Sequence, residues 1–389
     1  MPIQSFSYSE DKQMLNIPSP TGEYAVGTFT YTVHTDREEI LAPGTKRLVP
    51  VRVYYPVTKN SVEGMSKAKY MSREMADALK KSMHAPINYD KSEAAGENVS
   101  NCYENAPKIE GKKFPLIMFN HGLGSFREAN SFLCIELASH GYVVMAVTHP
   151  YDAALSELDD GTKIPLHKNS TKKQYEPFLP GAFSVIKLTA TKGTNKELAE
   201  KFDAIQNKYC QYIQSRIEVW MKDTLSAVDY AKEELADIID FSYGIGATGH
   251  SLGGATAYML CLYCKEFVCG ANLDGALFGN NKGQILRKPF AQISCKTNLN
   301  AETRPYIDHT KPVFSALFQK MQHISFSDMK HMIPINAIVG KLDPDLAHEY
   351  VCKIHLELFD SYLKRVKDHP ELTSSELITI KEYEPDIKG

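Results

Sequence analysis

Nowhere in the 389 residues does an uninterrupted apolar run reach the length needed to cross a bilayer, and the opening MPIQSFSYSEDKQMLNIPSP is polar throughout. The expectation is therefore a chain with neither a secretory leader nor a membrane span. Pro2 stands where N-myristoylation needs a glycine. An excess of one charge is also missing: a formal net charge of -3 with 23% charged residues leaves no basic surplus to hold nucleic acid. Internal repeats and low-complexity tracts are absent. The C-x-x-C at Cys261 and Cys264 has no second pair to complete a zinc site. The eight cysteines, at 102, 134, 210, 261, 264, 269, 295 and 352, then read as buried thiols in a reducing compartment. Cytoplasmic residence follows as the expectation, with Asn98-Val99-Ser100 and Asn169-Ser170-Thr171 as idle glycosylation matches. No metal or organic cofactor is expected.

What the sequence does have is one stretch around which the rest is organised, Tyr243 to Tyr258, YGIGATGHSLGGATAY. A short apolar run, Ile245 to Thr248, leads into Gly249-His250-Ser251-Leu252-Gly253, and a helical pattern of small and apolar residues follows. A strand turning sharply into a helix strains its corner residue, and glycines on both sides let the two arms approach. Ser251 at this corner reads as a nucleophile, and the Leu252 N–H as one oxyanion donor.

The surrounding pattern fits such a corner. Tyr24 to Val33 and Leu48 to Pro56 alternate as an antiparallel opening hairpin. Met71, Met75, Leu79 and Met83 mark one face of a helix between Ala68 and His84, and Asp90 to Lys113 reads as a loop. Phe114 to Asn120 and Tyr142 to Val147 are short, fully apolar runs, the pattern of buried parallel strands, with an amphipathic helix from Ala129 to His140 between them. Tyr151 to Asn195 is a polar excursion over the site, for which a lid is one role left open. Lys196 to Leu235 reads as one long helix. Val268 to Asp274, Lys288 to Cys295 and, more weakly, His323 to Phe326 read as further strands, and Tyr350 to Val366 as a closing helix. The expectation is one α/β domain over residues 1–389, with an N-terminal arm at 1–21 and a mostly parallel sheet covered by helices on both faces.

A serine hydroxyl needs a base to take its proton, and that imidazole needs an acid to hold it. The α/β-hydrolase order along the chain is Ser, then Asp or Glu, then His. Asp274 ends the strand after the corner helix; its rival is Asp343 in Gly340-Lys341-Leu342-Asp343-Pro344-Asp345. The histidines after Ser251 are His309, His323, His331, His348, His355 and His369. His331 is selected, because it follows the weak strand by a short loop, where the base should emerge. His348 and His355 fall on or beside the closing helix. In His121-Gly122-Leu123-Gly124 the glycines flank Leu123, so that its N–H can serve as the second oxyanion donor.

Four stretches, FPLIMFNHGLGSFR, ELASHGYVVMAVTHPYDAA, GATGHSLGGATA and CGANLDGALFG, together resemble the platelet-activating factor acetylhydrolases of the plasma and intracellular type II kind. The likeness runs over roughly residues 112 to 280 and more weakly to His331. It implies an α/β-hydrolase with Ser251, Asp274 and His331 as nucleophile, acid and base, and with Leu123 and Leu252 N–H groups as the oxyanion hole. It also implies calcium-independent hydrolysis of short or oxidised sn-2 acyl chains of phospholipids. The chain departs from the pattern at His149-Pro150 and in the charged MSREMADALKKSMH helix, where the family carries an apolar lipid-facing helix. The expected partner is a small lipid ester, with at most weak association at a membrane surface. The other readings are a general carboxylesterase and a non-catalytic binding protein of the same fold.

Overall fold

The computed structural model describes residues 17–83, 98–296, 299–333 and 335–387. The predicted opening hairpin is there: Ala25–Glu38 (β1) pairs antiparallel with Lys46–Val57 (β2). Lys67–Lys69 (β3) and helix Arg73–Met83 (α1) follow, then Val99–Glu104 (β4) inside the segment expected to be a loop. The Met71, Met75 and Leu79 stripe is buried in the core, so this helix spends its apolar face on the protein's own interior. Residues 1–16 of the predicted arm, His84 at the end of the predicted helix, and 90–97 of the predicted loop lie outside the described residues.

Leu116–Asn120 (β5), Ser131–Ser139 (α2) and Val143–Val147 (β6) form the expected strand, helix, strand unit. Next comes the excursion, which is structured: a hairpin of Leu155–Glu157 (β7) and Lys163–Pro165 (β8), then helices Lys168–Lys172 (α3) and Phe178–Thr189 (α4). The predicted long helix is two, Asn195–Tyr209 (α5) and Gln211–Glu234 (α6), because Cys210 leaves the helical region at φ -120, ψ 26. Ile245–His250 (β9), Leu252–Tyr263 (α7), Phe267–Leu273 (β10), Phe290–Ser294 (β11) and Val313–Phe318 (β12) complete the parallel part. Short helices Met329–Met332 (α8) and Asn336–Val339 (α9), the long Pro344–Tyr362 (α10), and Ile378–Tyr383 (β13) finish the chain.

Among the described residues, eleven strands share one sheet in the order β13-β12-β11-β10-β9-β5-β6-β2-β1-β4-β3. From β12 to β6 every pairing is parallel, while β13 and β2 flank this block antiparallel. Alternate side chains of one strand enter different cores. Ile117 and Phe119 of β5 join the cluster beneath α2 and α10, whereas Leu116 and Met118 join the one beneath α6 and α7. This is the α/β-hydrolase fold, with helices on both faces of a mostly parallel sheet. The chain order jumps between the neighbours β5 and β9, so the turns at their carboxyl ends open onto a shared crevice, the usual place for a ligand in such sheets.

Candidate active site

The turn after β9 puts Ser251 at φ 58, ψ -122, a left-handed conformation held between strand and helix. A Cβ on Gly253 would lie 2.0 Å from the Asn120 carbonyl oxygen, and one on Gly249 would lie 2.4 Å from Gly253. Only glycine permits this closeness, which is why the strained serine has these neighbours. The Ser251 N–H donates to the Leu273 carbonyl at 2.9 Å, locking the corner to the next strand.

Around the hydroxyl, the histidine in place is His323 and not His331. Ser251 Oγ lies 2.9 Å from His323 Nε2, and His323 Nδ1 lies 2.7 Å from Asp274 Oδ2. The structure places His323, and not the expected His331, beside Ser251 for a physical reason. His323–Phe326 is a 3-10 turn, closed by Gln322 and Ser325, and the last parallel strand is β12, Val313–Phe318, which ends before the position assigned to it begins. The loop after β12 therefore returns over the strand ends at His323. His331 sits on α8 behind it, with its Nε2 3.2 Å from His348 Nδ1 and 3.7 Å from Asp345. His348 stacks on Phe132, and His355 Nε2 lies 2.9 Å from the Thr248 hydroxyl beneath β9. Asp343, the rival acid, caps α10 by accepting from the Asp345 and Leu346 N–H groups.

Asp274 is where the sequence put it. It is fully buried at φ 53 and accepts from the Cys295 N–H at 2.7 Å and from the Cys295 thiol. Glu302 lies buried nearby, receiving the Ser294 hydroxyl; burial first and Asp274 second push its carboxyl well above the usual range. Burial and the neighbouring carboxyl both favour the neutral form of Glu302. His250 fixes the other side of the base: its Nε2–H donates to the His323 carbonyl at 3.0 Å, and burial, then the neighbouring His323, push the His250 imidazole down to about 3. It is neutral at ordinary pH, so it orients the His323 loop without competing for its proton. Neither Glu302 nor His250 was singled out in the sequence, although His250 lies inside the G-x-S-x-G itself.

The loop after β5 closes on the serine from the opposite side. A Cβ on Gly122 would lie 3.2 Å from Ser251 Cβ. The loop is pinned by Gly124 N–H to the Asp152 carbonyl at 2.7 Å and by the His149 N–H to His121 Nε2 at 3.1 Å. His121 accepts at Nε2, so its Nδ1 carries the proton and donates to the Gly122 carbonyl at 2.7 Å. Burial pushes the His121 imidazole down to about 3, which keeps that tautomer uncharged. Among the described residues, no protein acceptor takes the Leu123 or the Leu252 N–H. Both leucines line, with Ser251 and His323, a cavity of about 350 Å³ whose walls include Tyr175, Val185, Ile213 and Phe278.

A model of the family "Platelet-activating factor acetylhydrolase, isoform II" matches residues 9–364. The chain belongs to this family. Curated platelet-activating factor acetylhydrolases are similar to it: that of Cavia porcellus is 24% identical over 283 residues, 69% of this chain and 62% of its own length. That of Canis lupus familiaris is 26% identical over 281 residues, 70% of this chain and 58% of its own. The chain thus spans about three-fifths of these acetylhydrolases. A ferulic acid esterase from Streptomyces cinnamoneus shares the fold, with a TM-score of 0.69 and 19% identity, covering 95% of this chain and 99% of that one. Among the described residues, no group of three or more His, Cys, Asp or Glu side chains is placed to hold a metal ion, and no helix is long and apolar enough to cross a membrane.

Proposed function

We propose that the chain is a serine esterase that hydrolyses the sn-2 ester of phospholipids carrying a short or oxidised acyl chain. The observation that carries this reading is the line from Ser251 Oγ to His323 Nε2, 2.9 Å, and from His323 Nδ1 to Asp274 Oδ2, 2.7 Å. In the first step Ser251 Oγ bonds to the ester carbonyl carbon while its proton passes to His323 Nε2. Asp274 holds the imidazole in the accepting tautomer and steadies the imidazolium. The carbonyl oxygen takes up the negative charge, facing the Leu123 and Leu252 N–H groups. As the carbonyl re-forms, the bond to the glycerol oxygen breaks, and that oxygen leaves with the proton from His323. A water then repeats the sequence on the acyl-serine, releasing the short acid.

The preference for a short acyl group is supported by the cavity of about 350 Å³ beside Ser251, walled in part by Val185, Ile213 and Phe278, and by the acetylhydrolase family to which the similar relatives belong. None of the eight cysteines forms a disulfide and most are buried, which supports a reducing compartment such as the cytoplasm.

The test is labelling by a fluorophosphonate followed by turnover of two phosphatidylcholines, one with an sn-2 acetyl and one with a long sn-2 chain. Wild type is expected to label and Ser251→Ala not to, with the acetyl substrate turned over faster. Labelling that survives in Ser251→Ala defeats the nucleophile assignment. Labelling with no preference for the acetyl substrate moves the reading to a general carboxylesterase. Absence of labelling in wild type leaves a binding protein of this fold.

A further inference from the structure

Seven large apolar side chains stand exposed among the described residues, and four of them, Phe178, Leu179, Phe183 and Ile186, lie on the twelve-residue helix α4. Their exposures are 54%, 77%, 67% and 65%, and a spacing close to one helical turn puts them on one face. The opposite face is fixed to the protein. Gly181 and Leu188 are buried, a Cβ on Gly181 would lie 2.7 Å from Tyr175 Cβ, and Asn300 Nδ2 donates to the Leu188 carbonyl at 2.8 Å. The helix is thus held in place while presenting its most apolar side to water. A patch of that kind, on a helix with room for a further contact, marks an interaction surface.

The charge around it says what kind. Between Lys168 and Lys196 there are six lysines and one acidic residue, Glu176, in a chain whose net charge is -3. Lys172 and Lys173 stand exposed just before the helix, Lys187 in its last turn and Lys192 just after it. Among the described residues no carboxylate pairs with these four. An apolar stripe rimmed by lysines fits an anionic bilayer, where rings and aliphatic chains enter the acyl boundary and ammonium groups meet the headgroups. Position adds to this. Gln174, Tyr175 and Val185, from the same segment, line the cavity that holds Ser251.

We propose that α4 and its flanking lysines seat the protein on an anionic lipid surface, with the mouth of the acyl cavity against the membrane. The inference rests on the esterase reading for its purpose, but the binding surface is testable without it. α1, whose stripe is buried, is not the element that makes this contact.

The experiment is co-sedimentation of the full chain with vesicles of phosphatidylcholine alone and of phosphatidylcholine mixed with phosphatidylglycerol, at low and high salt, beside size-exclusion chromatography and hydrolysis of soluble p-nitrophenyl acetate. Wild type is expected to bind the mixed vesicles and to be released by salt. Phe183→Asp with Ile186→Asp, and separately Lys172→Glu with Lys173→Glu, are expected to weaken binding at least about tenfold while p-nitrophenyl acetate turnover stays within about twofold, showing an intact fold. Equal sedimentation of the double aspartate variant and wild type overturns the proposal. So does a wild-type dimer that the aspartates dissociate without vesicle binding, which makes the face a contact between copies. If vesicles are bound but neither ester is hydrolysed, the function fails and the surface stands. If both esters are hydrolysed and no vesicle is bound, the surface fails alone.

Discussion

His323 and His331 are the same residue type, eight positions apart, and their surroundings assign them opposite tasks. His323 is part-exposed at the cavity with Ser251 on one nitrogen and Asp274 on the other. His331 packs against His348 with only 6% of its side chain exposed, and desolvation pushes its imidazole below the ordinary value, as befits a packing ring. Replacing His323 by Ala is expected to lower turnover of an sn-2 acetyl substrate by on the order of 10⁴-fold or more, and Asp274→Asn by about 10⁴-fold, as for other triads of this type. His331→Ala is expected to leave kcat within about threefold and to cost roughly 1–3 kcal/mol in urea unfolding, the range for truncating a buried side chain. A large kcat loss in His331→Ala with activity retained in His323→Ala would return the base to His331. Ser251 and Asp274 were readable because each carries a local mark, small neighbours at a strained corner or an acid ending an apolar strand. His323 carries none. It lies on a turn whose apolar residues, Ile324 and Phe326, imitate a strand, while β12 is interrupted by Ser315 and half-buried at alternate positions.

The element that keeps this turn in place is α2. All nine of its residues are buried, so it shows no polar face, and its N-terminal N–H groups need an acceptor from elsewhere. Asp328 supplies it from almost two hundred residues away. Its carboxylate accepts from the Ser131 N–H at 2.9 Å, the Ser131 hydroxyl at 2.7 Å, the Phe132 N–H at 3.3 Å and the Tyr70 hydroxyl at 3.1 Å. Local sequence shows only a polar residue in a short loop, because the helix it caps belongs to a distant segment. Burial pushes the Asp328 carboxyl up to about 7 in spite of these donors. With the folded pKa above the unfolded one, near 4, the folded state holds the proton more tightly. The stabilisation is complete below pH 4 and is lost as pH rises through 7, with a total on the order of 4 kcal/mol. Urea unfolding of wild type and Asp328→Asn between pH 4 and 8 checks this. The stability difference, wild type minus variant, is expected to shrink as pH rises. A difference that is flat or grows would mean that the carboxyl is already ionised in the folded protein.

Across the whole molecule, strands β5, β6, β9, β10 and β11 were legible because buried parallel strands are short apolar runs, and the hairpin because its residues alternate, whereas β12 and the outer strands β3, β4 and β13 were not. The polar tie that joins hairpin, sheet and site was not, since its members are far apart in sequence and each looks like an ordinary charged surface residue. Arg47, at the start of β2, reaches Asp223 on α6 at 2.5 Å and Glu39 at 2.6 Å, all three essentially without solvent exposure. Asp223 also accepts from Arg37 at 2.7 Å and from His149 Nδ1 at 3.0 Å; the Arg47 and His149 donors hold its carboxyl well below the usual range against the opposing effect of burial. His149 stacks on Trp220 and is tied through His121 to the loop bearing Leu123. The hairpin, α6 and the loop opposite Ser251 thus depend on one buried set of charges. Removing one partner from such a set strands the others in a dry interior, whereas removing a matched pair does not. Asp223→Leu is therefore expected to cost roughly 3–5 kcal/mol in urea unfolding, because two arginines lose their shared acceptor. Arg37→Met is expected to cost under about 1 kcal/mol, since that side chain is 28% exposed and can turn to water. In the double variant Arg47→Met, Asp223→Leu, the loss should fall short of the sum of the two single losses by at least about 1 kcal/mol, as coupled buried charges do. Additive losses would show that Arg47 and Asp223 act independently, and that the hairpin is held to the site by packing alone.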